Sequence, residues 1–270
     1  MSENTREEIH NDQKFVAELL REQGLTIKDL RERKTLEVVG ESANSAVEYL
    51  AVTEKGEEIS FFAKFFGDIN TGDARNKVLN EKKATEKLNH LIPGISYEVF
   101  AYSLDKPVIL TETIQDSVTF DDYFRGIPDE RDAMLIANGL DLLAFTHKNG
   151  IIHGDASARN FSWSTTRQFE ENEFGGLVII DFEKALFEED LNPEEFEDLQ
   201  IKDVVKFLYS IFPVVKKEAE RPAWKKELKN YYEAQNAVIM VTLGKHYSNN
   251  VVERVANELN RHIEAVANWK

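Results

Sequence analysis

The chain has 270 residues, of which 42% are hydrophobic, a net charge of −16 at pH 7 and no cysteine. That length and apolar content suffice for one large domain or two lobes with their own cores, which excludes a disordered chain. The charge argues against nucleic-acid or anionic-lipid binding, no apolar run reaches the ~18 residues of a membrane span, and disulfides, thiolate metal sites and cysteine nucleophiles are excluded.

Met1-Ser2-Glu3-Asn4-Thr5-Arg6-Glu7-Glu8 lacks the apolar core of a signal peptide, and a cytoplasmic location is expected. Residues 6–33 read as one or two helices: Phe15, Val16, Leu19 and Leu20 form a helical stripe, Gly24 is a stop, and Thr26-Ile27-Lys28-Asp29 reads as a restart. Residues 1–35 are therefore expected to be an N-terminal helical extension. From Leu36 the pattern turns to strands, at Leu36–Val39, Ala46–Val52 and Ile59–Phe66. A helix from Arg75 to Leu91 ends at Pro93-Gly94, and strands follow at Ser96–Tyr102 and Pro107–Thr113. Residues 36–113 thus make a β-rich lobe, joined by a short hinge to a helical lobe at 114–270. In the second lobe, Arg131–His147 carries apolar residues at helical spacing and stops at Asn149-Gly150. A hairpin at Phe161–Trp163 and Leu177–Ile180 follows, then helices at 199–213, 222–243 and 248–268. Strands first and helices afterwards give an α+β chain in two lobes.

The most informative segment is Ile151-Ile152-His153-Gly154-Asp155-Ala156-Ser157-Ala158-Arg159-Asn160, with Val178-Ile179-Ile180-Asp181-Phe182-Glu183 beyond it. One carboxylate sits on a loop, a carboxamide comes five residues later, and a second carboxylate ends an apolar strand. A loop carboxylate such as Asp155 can orient a hydroxyl and receive its proton. Asn160 and Asp181 offer two oxygen ligands, enough for Mg²⁺ with phosphates and water completing its shell. Asp181 at the mouth of a buried strand would be costly without solvent, a partner or a cation. Upstream, Lys64 lies within Phe-Phe-Ala-Lys-Phe-Phe and needs a partner; Glu81, 17 residues later on the Arg75–Leu91 helix, is the first choice and Glu86 the fallback.

The spacing H-x-D-x-x-x-x-N followed by D-F-x resembles the protein-kinase-like superfamily. The resemblance implies a bilobal fold and transfer of the γ-phosphoryl of ATP. It assigns Asp155, Lys64 and Asn160 to catalysis, and Asn160 and Asp181 to magnesium. It places Lys64 on the α/β-phosphates, paired with Glu81. Gly40-Glu41-Ser42-Ala43-Asn44-Ser45-Ala46-Val47 is similar to the family's glycine-rich loop, with Ser42 and Ser45 replacing glycines, so Gly40, Ser42, Ser45 and Val47 would border the nucleotide. Glu112-Thr113-Ile114 would be the hinge, Glu112 and Ile114 meeting the adenine through main-chain groups. His153 would shape the loop and Asp203 would anchor its backbone; the simpler reading of Asp203 is a first-turn helix aspartate.

His153-Gly154-Asp155 lacks the arginine of H-R-D, Glu183 replaces the glycine of D-F-G, and no A-P-E follows. These departures resemble the atypical group: RIO-like kinases, lipopolysaccharide sugar kinases, aminoglycoside phosphotransferases and choline kinases. From Glu112 to Asp155 is 43 residues, too few for the extra helices of the antibiotic and choline enzymes. This leaves a compact RIO-like or sugar-kinase-like catalyst acting on Ser/Thr or a saccharide hydroxyl, and the reading leans slightly to an atypical protein kinase acting on Ser/Thr. A small-molecule kinase acting on an aminoglycoside, choline or sugar is the alternative. Asp181 to Asp203 holds ten acidic residues against Lys184 and Lys202, either a solvated acidic loop or a surface for a cationic acceptor. A nucleotide-binding pseudokinase stays open. A metal hydrolase built on His153 and Asp155 would need ligands that the other histidines (10, 90, 147, 246, 262) do not supply by spacing.

Overall fold

The computed structural model describes residues 3–37, 45–67, 72–114, 116–124, 132–165, 174, 176–211 and 222–267. The chain divides into two compact units, Met1–Gln115 and Asp116–Lys270.

The first unit opens with α1 (Glu3–Glu22), which Gly24 terminates at φ +82°, a backbone conformation glycine adopts without steric cost. There follow β1 (Ile27–Glu37), β2 (Ser45–Thr53), β3 (Glu58–Phe65), α2 (Gly72–Leu91), β4 (Val99–Ser103) and β5 (Val108–Glu112). The five strands form one antiparallel sheet in the order β1-β2-β3-β5-β4. The expected restart helix after Gly24 is not formed: Ile27–Glu37 is a strand, paired from Ile27↔Thr53 to Glu37↔Ser45. Its sequence, Ile-Lys-Asp-Leu-Arg-Glu-Arg-Lys-Thr-Leu-Glu, suits a helix on propensity, but the β2 backbone offers a full ladder and that tertiary pairing prevails. As an edge strand dense in charge, it also resists pairing with another chain.

Period-two alternation sorts the sheet's faces. Val47, Tyr49, Ala51, Phe61, Ala63 and Phe65 form a buried cluster with Val16, Leu19 and Leu20 of α1. Each of those α1 side chains contributes roughly 1.5–3 kcal/mol on burial. A second cluster joins Phe66, Ala74, Val78 and Ile109, seating α2. Ion pairs one turn apart, Lys77–Asp73 at 3.0 Å and Lys82–Glu86 at 2.6 Å, support α2 despite its polar sequence.

The second unit contains β6 (Ser117–Thr119), α3 (Phe120–Tyr123), α4 (Asp132–Lys148), β7 (Ile151–Ile152), β8 (Phe161–Ser164), β9 (Leu177–Ile179), β10 (Leu186–Phe187), α5 (Pro193–Ile211), α6 (Pro222–His246) and α7 (Asn249–Ala267). The expected hairpin is β8–β9, and β6 adds a third strand beside β8. β7 pairs with β10, which brings the chain on either side of the His153–Asn160 loop together. Phe120, Phe161 and Phe207 are fully buried around that loop, with Phe161 and Phe207 centroids 4.6 Å apart.

The acidic stretch is more ordered than a solvated loop. Asn192 and Glu195 form a reciprocal cap at the start of α5: Glu195 N–H donates to Asn192 Oδ1 at 2.9 Å, and Asn192 N–H donates to Glu195 Oε2 at 3.3 Å. Acidic residues in this first turn also complement the helix dipole. Glu197 accepts hydrogen bonds from Ser248 and Asn250, and Asp198 pairs with Arg254 at 2.7 Å, tying α5 to α7.

Candidate functional site

In the first unit, Lys64 occupies the β3 face opposite the α1-side core. Its Nζ lies 3.2 Å from Glu81 Oε2, and Glu81 is almost fully buried on α2. A buried carboxylate without a cation would be strongly destabilising, so this pair explains a glutamate on the helix's inner face. Glu86, the fallback, pairs with Lys82 instead.

Val47 is opposite Ala63 and belongs to the α1-side cluster, so it does not share a sheet face with Lys64. Ser45 begins β2 and is exposed; Gly40 and Ser42 lie outside the described residues. Glu112 ends β5, with its N–H donating to Glu98 O at 2.9 Å and its carboxylate accepting from Glu98 N–H at 3.2 Å. Ile114 follows it, half-buried.

In the second unit the loop after β7 is held from beneath by Asp203. Because α5 begins at Pro193, Asp203 lies in the helix interior rather than in its first turn. Its carboxylate accepts from His153 N–H at 2.7 Å and Gly154 N–H at 3.0 Å, and lies 3.2 Å from His147 Nε2. His147 Nδ1 is 2.8 Å from the Tyr247 hydroxyl, which extends the network to the end of α6.

His153 is fully buried, its ring 4.7 Å from that of Phe182. Burial lowers its pKa despite the opposing charges of Asp203, Asp181 and Asp155. Neutral, it donates from Nε2 to Ile180 O at 3.0 Å and accepts Asp155 N–H at Nδ1 at 3.2 Å. One imidazole thereby fixes both the Asp155 backbone and the peptide before Asp181.

Gly154 has φ +78°, and a Cβ added there would lie 2.1 Å from Lys184 O and 2.8 Å from Lys184 C. The glycine that distinguishes this loop from H-R-D is thus required by the backbone crossing it. Downstream, Ser157 N–H and Asn160 Nδ2 both donate to Asp155 O, at 2.7 and 2.8 Å, while Ala158 N–H donates to Ser210 Oγ of α5 at 2.6 Å.

Asn160's amide nitrogen is thus committed to the loop, which makes Oδ1 its atom for a cation. Ile180 N–H donates to Asn160 O at 3.0 Å, stitching the asparagine to the segment that carries Asp181. Asp181 itself has φ +70°, a strained conformation for a residue with a side chain. A carboxylate and a carboxamide oxygen suit a hard cation that keeps water and phosphate in its shell, so this donor set fits magnesium.

Asp155 is buried and surrounded by cations that sequence reasoning passed over. Lys206 Nζ is 2.5 Å from Oδ1; Arg159 Nη2 and Lys184 Nζ are 3.1 and 3.4 Å from Oδ2. Burial alone would raise its carboxyl pKa, but Lys206, by hydrogen bond and charge, then Arg159 and Lys184, hold it below the usual carboxylate range. Arg159 is four residues from Asp155, Lys184 three from Asp181, and Lys206 one helical turn beyond Asp203.

No protein-family profile matches the chain, and no curated protein matches it. Among solved structures it is similar to one described as WaaP in complex with acyl carrier protein, at 15% identity over 92% of each chain, with a TM-score of 0.56. The likeness is one of fold: the chain has the α+β, two-lobed protein-kinase-like architecture. Among the described residues, no helix is long and apolar enough to cross a membrane.

Proposed function

We propose that this chain is an ATP-dependent phosphotransferase that moves the γ-phosphoryl group to a hydroxyl acceptor. The observation that carries it is the His153–Asn160 loop: Asp203 clamps its backbone, His153 ties it to the Asp181 segment, and Asp155 is presented as a charged carboxylate. Lys64, positioned by Glu81, would hold the α/β-phosphates, and Asn160 and Asp181 would hold magnesium, which offsets phosphate charge when bound. Ser45, Glu112 and Ile114 are proposed nucleotide contacts on the strength of the resemblance alone, as are Gly40 and Ser42; Val47, packed in the α1-side core, is not among them.

In the transfer, the acceptor oxygen forms a bond to the γ-phosphorus as the bridge to ADP breaks, and the hydroxyl proton passes to Asp155 and then to solvent. A carboxylate held below its ordinary pKa is a weak base. Its principal work is to orient the hydroxyl, with proton transfer late, as suits a loose transition state.

The favoured acceptor is a protein Ser/Thr hydroxyl, with a sugar or other small molecule as the alternative; the short segment between Glu112 and Asp155 suits a compact catalyst of the protein- or sugar-kinase kind. A pseudokinase would bind the nucleotide without turnover. The test is twofold. Mg-ATP at 100 times its Kd should raise stability by about 2.7 kcal/mol. Radiolabelled ATP should label some member of a pool of peptides, sugars, aminoglycosides and the protein itself, and Asp155→Asn should abolish labelling while keeping the nucleotide shift. The shift without labelling leaves the pseudokinase; no shift at millimolar Mg-ATP defeats the proposal.

A further inference from the structure

Lys184, Lys206 and Arg159 converge on one carboxylate. A buried aspartate needs a single cation to offset its desolvation, and Lys206 at 2.5 Å already provides it. Arg159 and Lys184 add two further positive charges on the other carboxylate oxygen, so three cations face one anion. None is a buried structural group: their side chains are 60%, 49% and 46% exposed, for Arg159, Lys184 and Lys206 respectively. In a protein of net charge −16, such a local positive excess is against the general trend.

Several of the acidic residues that follow in sequence are committed elsewhere. Glu195 caps α5, while Glu197 and Asp198 are bonded to α7. Asp203 is turned to the backbone of His153 and Gly154. Three exposed cationic donors around an orienting carboxylate make a seat for an anion next to the position the acceptor hydroxyl must take.

We infer that the acceptor carries its own anionic group, a phosphate or carboxylate, bound by Lys184, Lys206 and Arg159 while its hydroxyl meets Asp155. This rests on the phosphotransferase reading and replaces the cationic acceptor suggested by the acidic run. The same cations could instead serve the γ-phosphate of the nucleotide, and the two sources of anion separate by experiment.

The full chain, with and without Mg-AMP-PNP, is titrated calorimetrically with glycerol 3-phosphate, glycerol and ethanolamine. Glycerol 3-phosphate alone should bind the nucleotide-loaded protein, more weakly as salt is added. Lys184→Gln should weaken it about tenfold, as expected for one lost charge-assisted contact, with AMP-PNP affinity unchanged. Lys184 is half-exposed, so this variant does not threaten folding; Lys206→Gln, which keeps a donor beside Asp155, should act in the same direction. Binding of ethanolamine in preference, or no binding of glycerol 3-phosphate, overturns the inference. So does a loss confined to AMP-PNP, which would assign the cations to the nucleotide. If AMP-PNP fails to bind while glycerol 3-phosphate binds through Lys184, the anion seat stands and the kinase reading falls.

Discussion

Gly154→Ala tests the local geometry most directly. At φ +78° an alanine is destabilised by about 1–2 kcal/mol relative to a right-handed conformation. Its Cβ would also stand 2.1 Å from Lys184 O and 2.8 Å from Lys184 C, backbone atoms that cannot rotate away as a side chain could. Overpacking of that kind costs a further ~1–3 kcal/mol, so the variant should lose about 2–5 kcal/mol. Gly244→Ala is the control: it lies inside α6 with nothing within 4 Å of a new Cβ, and it should gain up to about 1 kcal/mol from helix propensity. Urea unfolding followed by circular dichroism reads both. A Gly154→Ala protein within 0.5 kcal/mol of wild type, on the order of an ordinary surface substitution, would refute the crossing.

Asp203→Ala removes the acceptor of the buried His153 N–H and the partly buried Gly154 N–H and should cost at least about 1–3 kcal/mol, read by the same unfolding assay; a neutral result would mean that the loop is held otherwise. Glu81→Gln should leave the fold intact but weaken Mg-ATP binding or turnover about tenfold by releasing Lys64, and unchanged kinetics would separate the pair from function. His153 should make the protein acid-sensitive. Its folded pKa is lowered by burial, so below the unfolded value near 6.5 the unfolded chain binds the extra proton and stability falls, by up to about 1.4 kcal/mol per pH unit until the folded pKa is reached. Unfolding free energies at pH 7.5, 6.5 and 5.5 should decline in that order, and His153→Gln should flatten the decline; a rise toward pH 5.5 would contradict it.

The parts of this molecule legible in its sequence are those where one local pattern meets no rival. The stripe of Phe15, Val16, Leu19 and Leu20 marks α1, and the alternation in Ile59–Phe66 marks β3 and puts Lys64 on one face. Residues 27–37 defeat the same method because their charges are compatible with either period, and only pairing with β2 decides. In the loop, Asp155, Asn160 and Asp181 stand at readable spacings, whereas the three cations come from a 3₁₀ turn, a turn after Phe182 and the middle of α5. Their convergence is a product of tertiary structure. The acidic run shows charge density in the sequence without showing that Glu195 caps α5 or that Glu197 and Asp198 bond to the α7 end.

Gly154 and Lys184 are two consequences of one crossing. The backbone at Lys184 passes so close to Gly154 that no side chain fits between them, and the same passage brings the Lys184 ammonium to 3.4 Å from Asp155. The two roles are separable because one belongs to the carbonyl and the other to the side-chain amine. Lys184→Gln should therefore not rescue Gly154→Ala: the oxygen and carbon that the alanine meets remain, and the double variant should be as unstable as Gly154→Ala alone. Binding of glycerol 3-phosphate should behave oppositely. Relief of the clash requires the Lys184 peptide to move, so Gly154→Ala should already weaken binding, and adding Lys184→Gln should reduce it by less than in the wild-type background. A double-mutant cycle read in both unfolding and calorimetry tests this, since the departure from additivity reports the coupling in each property. Restored stability in the double variant would mean that the lysine side chain, not the backbone, makes the close contact, and the necessity of glycine in His153-Gly154-Asp155 would lose its explanation.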